Sequence, residues 1–320
     1  EEGERGEEEE EQQGRSDRPT ALVTCASYKM AEEMIERLSV NNFDVTIVGE
    51  NAEKLNSIAK EKRLRRGEQL FTPVCLNLRD FDQVKEAMEG QLKHHYDRVV
   101  FFACAPNYDE PAPEFEKEGE HVHVGFRSNV VGHFLMARYL IERSVDSTKS
   151  TRFIFVAPNV AGFDDNNCCK EFPANEELYD DFFKHDKPHL KEDLWNNYTR
   201  IGFIAVAEAI NRHFSSKASA VAVFPHDDHC RKLKRRSVKD YICEYFCTNR
   251  TSIGVVDQGL ELTHVSWSQF IFTNTIENDI SQYDKKWLEG TNPRNLPLNE
   301  SQIEKFFNYL NWKTRLWGFN

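Results

Sequence analysis

Short, nearly continuous apolar runs alternate with longer amphipathic stretches from residue 21 to residue 224, and this pattern constrains the chain more than any other. The apolar runs are 21–24, 44–48 (DVTIV), 72–76 (TPVCL), 98–103 (RVVFFA), 152–157 (RFIFVA) and 220–224 (AVAVF). Helical periodicity fills the intervals 30–39, 51–62, 80–93, 121–145 and 195–214. A strand with one wet face alternates apolar and polar residues; these do not, so helices must cover both sheet faces. Strict strand–helix alternation further requires parallel strands joined by right-handed crossovers. The expected fold is therefore α/β, a doubly wound parallel sheet in three α/β/α layers. Ligands of such sheets bind at the carboxyl ends of the strands, near the point where strand order reverses.

No Gly/Ser-rich linker and no internal repeat divides the body, so residues 18–320 are read as a single domain. Residues 1–17 are read as an acidic, disordered tail, because eight of the first eleven residues are glutamate. Two polar stretches interrupt the alternation, at about 163–194 and 226–250, the second holding the basic run RKLKRR at 231–236. Long excursions after strands commonly shape substrate sites. A terminal amphipathic helix is expected over 300–316. The net charge of −12 argues against general nucleic-acid binding, which needs a basic footprint. No run of 18 apolar residues and no basic start followed by an apolar core is present, so no membrane span is expected. The location read from this is cytoplasmic, with nuclear import through 231–236 as the variant.

The eight cysteines are expected to be reduced, in keeping with that compartment. His226, His229, Cys230, Cys243 and Cys247 are close in sequence, but their spacing suits packing and surface positions better than zinc. No metal site is expected.

The order of several motifs resembles the short-chain dehydrogenase/reductases, and more narrowly the branch of retinol dehydrogenases and WW-domain oxidoreductases. NVVGHFLMARYLI (129–141), RFIFVAPNVAGF (152–163), NNYTRIGFIAVAEAI (196–210), VAVFPH (221–226), VVDQGLELTHVSW (255–267) and FFNYLNWKTRLWGF (306–319) carry it. The likeness covers roughly residues 18–318 and implies a Rossmann-like sheet. For an active member it would also imply NAD or NADP, and a carbonyl or alcohol of a lipid-like substrate of retinoid or steroid type. Pairing of subunits through the helices after the fourth and fifth strands is a further implication.

The resemblance places Tyr198 at the catalytic tyrosine, Asn129 at the family's asparagine and Asn159 beside the family's serine. Tyr198, Asn129 and Asn159 are the candidate catalytic residues, as vestiges. The family's lysine, four residues after the tyrosine and so on the same helix face, is here Gly202. Without that cation nothing biases the tyrosine hydroxyl towards its anion. The only other Tyr-x-x-x-Lys is Tyr309–Lys313 in the terminal helix, read as far from the strand ends.

The cofactor side departs as well. The glycine turn T-G-x-x-x-G-x-G reads Thr24, Cys25, Lys29 and Ala31 at its marked positions. A Cβ at such positions holds phosphates away from backbone N–H groups and strains residues that need positive φ. Lys29 could instead offer a point charge to a phosphate. Glu50 sits where an arginine would read a 2′-phosphate, which favours NAD over NADP, and Asn77 stands at the adenine-contacting position. Thr24, Lys29, Glu50 and Asn77 are the candidate cofactor-binding residues. Phe101 and Phe102 replace the family's N-N-A-G and are read first as core. Together these losses lead to one expectation: a degenerate member with no cofactor, acting as a binding or scaffold protein through a homodimer or a protein partner. The alternative is an NAD(P)-dependent oxidoreductase with a rebuilt site.

Overall fold

A computed structural model describes residues 18–93, 95–103, 124–144, 149–157, 192–224, 271–272 and 300–315; of residues 29, 124, 192–197, 223, 224, 271, 272 and 315 it describes only the backbone. Among the described residues, seven parallel strands form one sheet in the order β3-β2-β1-β4-β5-β6-β7. They are β1 (Thr20–Val23), β2 (Asp44–Gly49), β3 (Phe71–Cys75), β4 (Arg98–Phe102), β5 (Thr151–Val156), β6 (Ala218–Phe224) and β7 (Ile271–Phe272). Every pairing is parallel, with Leu22 opposite Thr46 on one side and Val99 on the other. The doubly wound sheet expected from the sequence is present; β7 lies beyond the alternating region and had no periodic signal.

The connecting helices are α1 (Lys29–Val40), α2 (Ala52–Arg66), α3 (Phe81–Gly90), α4 (Val124–Phe126), α5 (His133–Arg143), α6 (Glu192–His213) and α7 (Glu300–Arg315). A π-helical turn, Arg127–Gly132, joins α4 to α5. Helix starts follow side-chain chemistry where it is available. Asn51 caps α2 by accepting from the Lys54 amide, and Asp80 caps α3 through the Asp82 and Gln83 amides. β2 and β5 bury every residue, and β1 and β4 all but their first, as helix cover on both faces demands. Phe101 and Phe102 lie within this core. The Phe101 ring packs 5.3 Å from Phe155 and 5.9 Å from Phe153, so β4 is filled by aromatic core.

The chain reverses direction across the sheet between β1 and β4. The first three strands build outward to β3, and the later ones build outward to β7. The carboxyl ends of β1 and β4 therefore flank the crevice in which a ligand of this architecture sits. α7 closes the chain by packing on α6 and the π-helical turn. Its Phe306 meets Phe126 at 6.1 Å, and its Phe307 meets Phe134 at 5.8 Å. Pro158–His189 and Pro225–Phe270, which hold Asn159, most of the two polar stretches and the cysteine–histidine group, lie outside the described residues.

Candidate functional site

The turn after β1 keeps its glycine shape without its glycine. Cys25 has φ +52°, a left-handed conformation that costs a residue with a Cβ roughly 1–2 kcal/mol. Three of the turn's amides bond within the fold. Thr24 N–H donates to Val100 O at 3.0 Å, Ala26 N–H to Val48 O at 3.0 Å, and Tyr28 N–H to Cys25 O at 2.8 Å. Ser27 and Tyr28 face solvent. Lys54 of α2 donates to the Ser27 carbonyl and pairs with Glu32 in the first turn of α1, both at 2.7 Å, so the outer face of the turn is clipped by an ion pair. Cys25 is disulfide-bonded, its partner lying outside the described residues, which corrects the expectation of reduced thiols at this position.

Thr24 was expected to face a cofactor. It is buried, and its hydroxyl is occupied on both sides. The Phe102 amide donates to Thr24 Oγ1 at 3.0 Å, and the hydroxyl lies 2.9 Å from His133 Nε2. His133 Nδ1 lies 2.6 Å from the Asn129 carbonyl oxygen. A carbonyl only accepts, so Nδ1 carries the proton and Nε2 accepts from Thr24. Burial among Phe101 (4.7 Å), Phe203 (5.8 Å) and the strand ends pushes the His133 pKa down to about 4, so the ring is neutral. One neutral histidine thus ties the end of β1, the end of β4 and the backbone at Asn129 together. The sequence reading did not single out His133. Its signal was a polar residue four after Asn129, inside an otherwise apolar run.

On the other side of the crevice the space is taken by backbone and methyl groups. Gly202 lies one turn after Tyr198 on α6. A Cβ at Gly202 would sit 2.7 and 2.9 Å from the two Val130 methyls and 3.4 Å from Phe126 Cε2. The π-helical turn approaches α6 so closely that no side chain fits at that position unless Val130 moves. Gly132 is held even more tightly: a Cβ there would lie 2.4 Å from the Leu78 carbonyl oxygen. Tyr198 and Asn129 are both 1 % exposed. The structure brings Asn129 onto the turn that packs on α6, and Arg200, between Tyr198 and Gly202, is buried on the same helix. Tyr309 and Lys313, expected far from this region, are buried on a helix that packs on that same turn. The Lys313 ammonium lies over the Trp312 ring at 4.7 Å and the Tyr309 ring at 5.6 Å.

The opposite end of the crevice is polar and open. Glu50, after β2, is exposed and pairs with Arg79 at 3.7 Å. Asn77, after β3, receives the Arg79 amide at 3.0 Å and its Nε at 3.2 Å. The Arg79 carbonyl accepts from Arg127 Nε at 2.7 Å, and the Arg127 guanidinium lies 4.1 Å over the Phe81 ring. Arg79 therefore joins Glu50 and Asn77 into one edge and links that edge to the π-helical turn. The sequence reading missed it, although an arginine two residues after Asn77 was the available signal. The side chain of Lys29 and all of Asn159 lie outside the described residues, so neither is placed in the site. No cluster of three or more histidine, cysteine, aspartate or glutamate residues among the described residues could hold a metal ion.

The two ends of the crevice differ. The β2–β3 end offers polar groups at exposed Glu50 and half-buried Asn77 and Arg79. The other end holds Tyr198, with buried Arg200 two residues on, and the turn after β1 has a Cβ at its left-handed position.

Residues 19–169 match the family profile described as short chain dehydrogenase. This segment belongs to the short-chain dehydrogenase family. The match ends before α6, the helix of Tyr198 and Gly202. Solved structures agree on the fold. The 3-ketoacyl-(acyl-carrier-protein) reductase from Brucella melitensis, complexed with NADH, is 18 % identical, with TM-score 0.51, covering 79 % of this chain and 96 % of that one. The citronellol catabolism dehydrogenase of Pseudomonas aeruginosa PAO1 is 16 % identical, with TM-score 0.51, covering 79 % and 92 %. The bulky-bulky ketone specific alcohol dehydrogenase from Comamonas testosteroni is 11 % identical, with TM-score 0.51, covering 87 % and 96 %. No curated protein matches the sequence. No described helix is long and apolar enough to cross a membrane.

Proposed function

We propose that this chain is a degenerate short-chain dehydrogenase/reductase-like protein that has kept the scaffold, no longer transfers hydride and acts as a binding or scaffold protein. The observation that carries this reading is the packing at Gly202. In the resemblance that residue holds the lysine which lowers the tyrosine's pKa and holds the ribose. Here its backbone lies against Val130 and Phe126 with no volume for a side chain. Loss of a lysine by substitution alone would leave a gap that a rebuilt site could use; a filled gap supports abandonment of the chemistry. The strained Cys25 and the self-bonded turn amides support the same reading on the cofactor side.

One observation favours a second reading, an NAD(P)-dependent oxidoreductase of the retinol dehydrogenase-like branch acting on a lipid-like carbonyl or alcohol. The edge formed by exposed Glu50 and half-buried Asn77 and Arg79 is still polar, as an adenosine site needs. Titration calorimetry of the purified chain with NADH and NADPH separates the two. No heat at millimolar nucleotide is the expected result. Micromolar binding of NADH, weakened in Lys29→Ala, would overturn the scaffold reading and make substrate screening the next step.

A homodimer or a protein partner remains the proposed assembly. The helices after the fourth and fifth strands, through which the resemblance implies pairing, are partly covered by α7. It adds an Arg138–Asn311 hydrogen bond of 3.1 Å and a His213–Glu304 contact of 3.1 Å to its aromatic contacts. That cover supports a partner-binding surface elsewhere on the chain. A cytoplasmic location, with nuclear import through 231–236 as the variant, belongs to the same proposal.

A further inference from the structure

Phe102, Thr24, His133 and Asn129 form a hydrogen-bonded chain in which every donor points the same way. The Phe102 amide donates to Thr24 Oγ1 at 3.0 Å, the Thr24 hydroxyl donates to His133 Nε2 at 2.9 Å, and His133 Nδ1 donates to the Asn129 carbonyl at 2.6 Å. The ring has no exposed surface. Thr24 faces it from β1, Phe101 from β4, Phe203 from α6 and the Asn129 carbonyl from the π-helical turn. None of these groups carries a charge or titrates. Burial, only partly offset by the Asn129 carbonyl, sets the lowered pKa of about 4.

A chain with one direction has no slack. A proton added at Nε2 puts two hydrogens between that nitrogen and Thr24 Oγ1, so the hydroxyl must turn its own hydrogen away from the ring. The new charge lies 4.7 Å from the Phe101 ring and 5.8 Å from the Phe203 ring, with no carboxylate among these contacts. A buried charge without a counter-ion is relieved by opening to water. The far side of the π-helical turn is held separately, by Arg127 Nε on the Arg79 carbonyl at 2.7 Å. The turn can therefore part from β1 while it stays anchored at Arg79.

We propose that His133 is an acid-sensitive pin: its protonation releases the π-helical turn from the ends of β1 and β4 and opens the floor of the crevice while the sheet stays folded. Opening exposes Phe101 and Phe203, an apolar surface that neutral pH keeps hidden. A two-position junction biased by a buried histidine is a recurring form of pH switch. The proposal is independent of whether the crevice binds a nucleotide.

Amide exchange of the full chain, read by NMR and corrected for the intrinsic pH dependence of exchange, tests it. The Phe102 amide is the reporter, because its hydrogen bond ends on the Thr24 hydroxyl. Its protection should fall at least tenfold between about pH 6.5 and about pH 4.5, by a factor that about 1 M urea leaves unchanged, as a local opening requires. The Val45 amide, bonded to the Leu70 carbonyl in the sheet, should stay better protected throughout. No fall at Phe102 would overturn the pin. A fall that steepens with urea in step with Val45 would mean that acid unfolds the whole chain, and would overturn the local opening. In His133→Phe the Phe102 amide should be weakly protected at both pH values, and a tenfold fall that persists there would assign the switch to another group. Should that variant not fold, the ring nitrogen shifts of the native chain decide. A neutral ring with its proton on Nδ1 is expected at about pH 6.5, and a charged ring there would overturn the pin.

Discussion

The two ends of the crevice have met different fates. At the β2–β3 end, polar groups stay exposed and bond to one another through Arg79. At the α6 end, the π-helical turn lies so close to the helix that a Cβ on Gly202 would overlap Val130. An open polar edge costs little to keep, because water satisfies Glu50 and Asn77 whether or not a ligand is present. A cavity sized for a lysine and a nicotinamide is different. Once its polar occupant is gone, empty volume forfeits packing energy, and apolar groups that fill it are stabilising. The contrast teaches that exposed polar motif residues can persist at little cost whatever the rest of the crevice does, so their presence is weak evidence for activity.

Substitutions can break or sharpen this contrast. The largest effect is expected for Gly132→Ala. Its Cβ would meet the backbone oxygen of Leu78, which cannot rotate away, and denaturant unfolding should show a loss of about 3 kcal/mol or more. Gly202→Lys should cost about 2–3 kcal/mol by the same assay and restore no NADH-dependent turnover. A gain of nucleotide binding in that variant would show that the crevice is not filled after all.

The buried histidine gives a pH-dependent test. The folded pKa of His133, at about 4, lies below the ordinary value of about 6.5, so the unfolded chain binds the proton more tightly. Stability should therefore fall as pH drops from about 6.5 towards 4, by an amount on the order of 3 kcal/mol from this group. His133→Phe should flatten that slope in unfolding measured across the window. It should also destabilise the chain by about 2 kcal/mol at pH 7, through the unpaired Asn129 carbonyl and Thr24 hydroxyl. A smaller effect belongs to Cys25. Because Cys25→Gly and Cys25→Ala both remove the disulfide, their difference isolates the backbone, and glycine should be the more stable by about 1 kcal/mol. The smallest is Glu50→Gln. Its pair with Arg79 is exposed and long, so stability should change by no more than about 0.5 kcal/mol.

Much of the sheet was legible because its signal is local. Continuous apolar runs such as DVTIV at 44–48 announce buried strands, and strands appear there. The absence of a lysine at position 202 was equally readable. Its cause was not, since Val130 and Phe126 lie more than 70 residues earlier, and only the fold brings them to α6. The same holds for His133, whose role depends on Thr24 and Asn129 meeting it from two elements. Arg79 was hidden for a related reason, because its meaning comes from Glu50 across the β2–β3 pairing. The two-residue β7 carries too few positions for any periodicity to register.

The strand order has a consequence for how the chain is made. β1 lies mid-sheet, but one of its two neighbours, β4, begins at Arg98. At typical synthesis rates of about 5–20 residues per second, the stretch from Val23 to Arg98 takes roughly 4–15 s to emerge. During that interval one whole edge of β1, with three of its four residues destined for the core, has no partner strand. That unpaired edge is an aggregation hazard for the nascent N-terminal half. Slowing translation between β3 and β4 should lower its yield more than slowing it anywhere after β5.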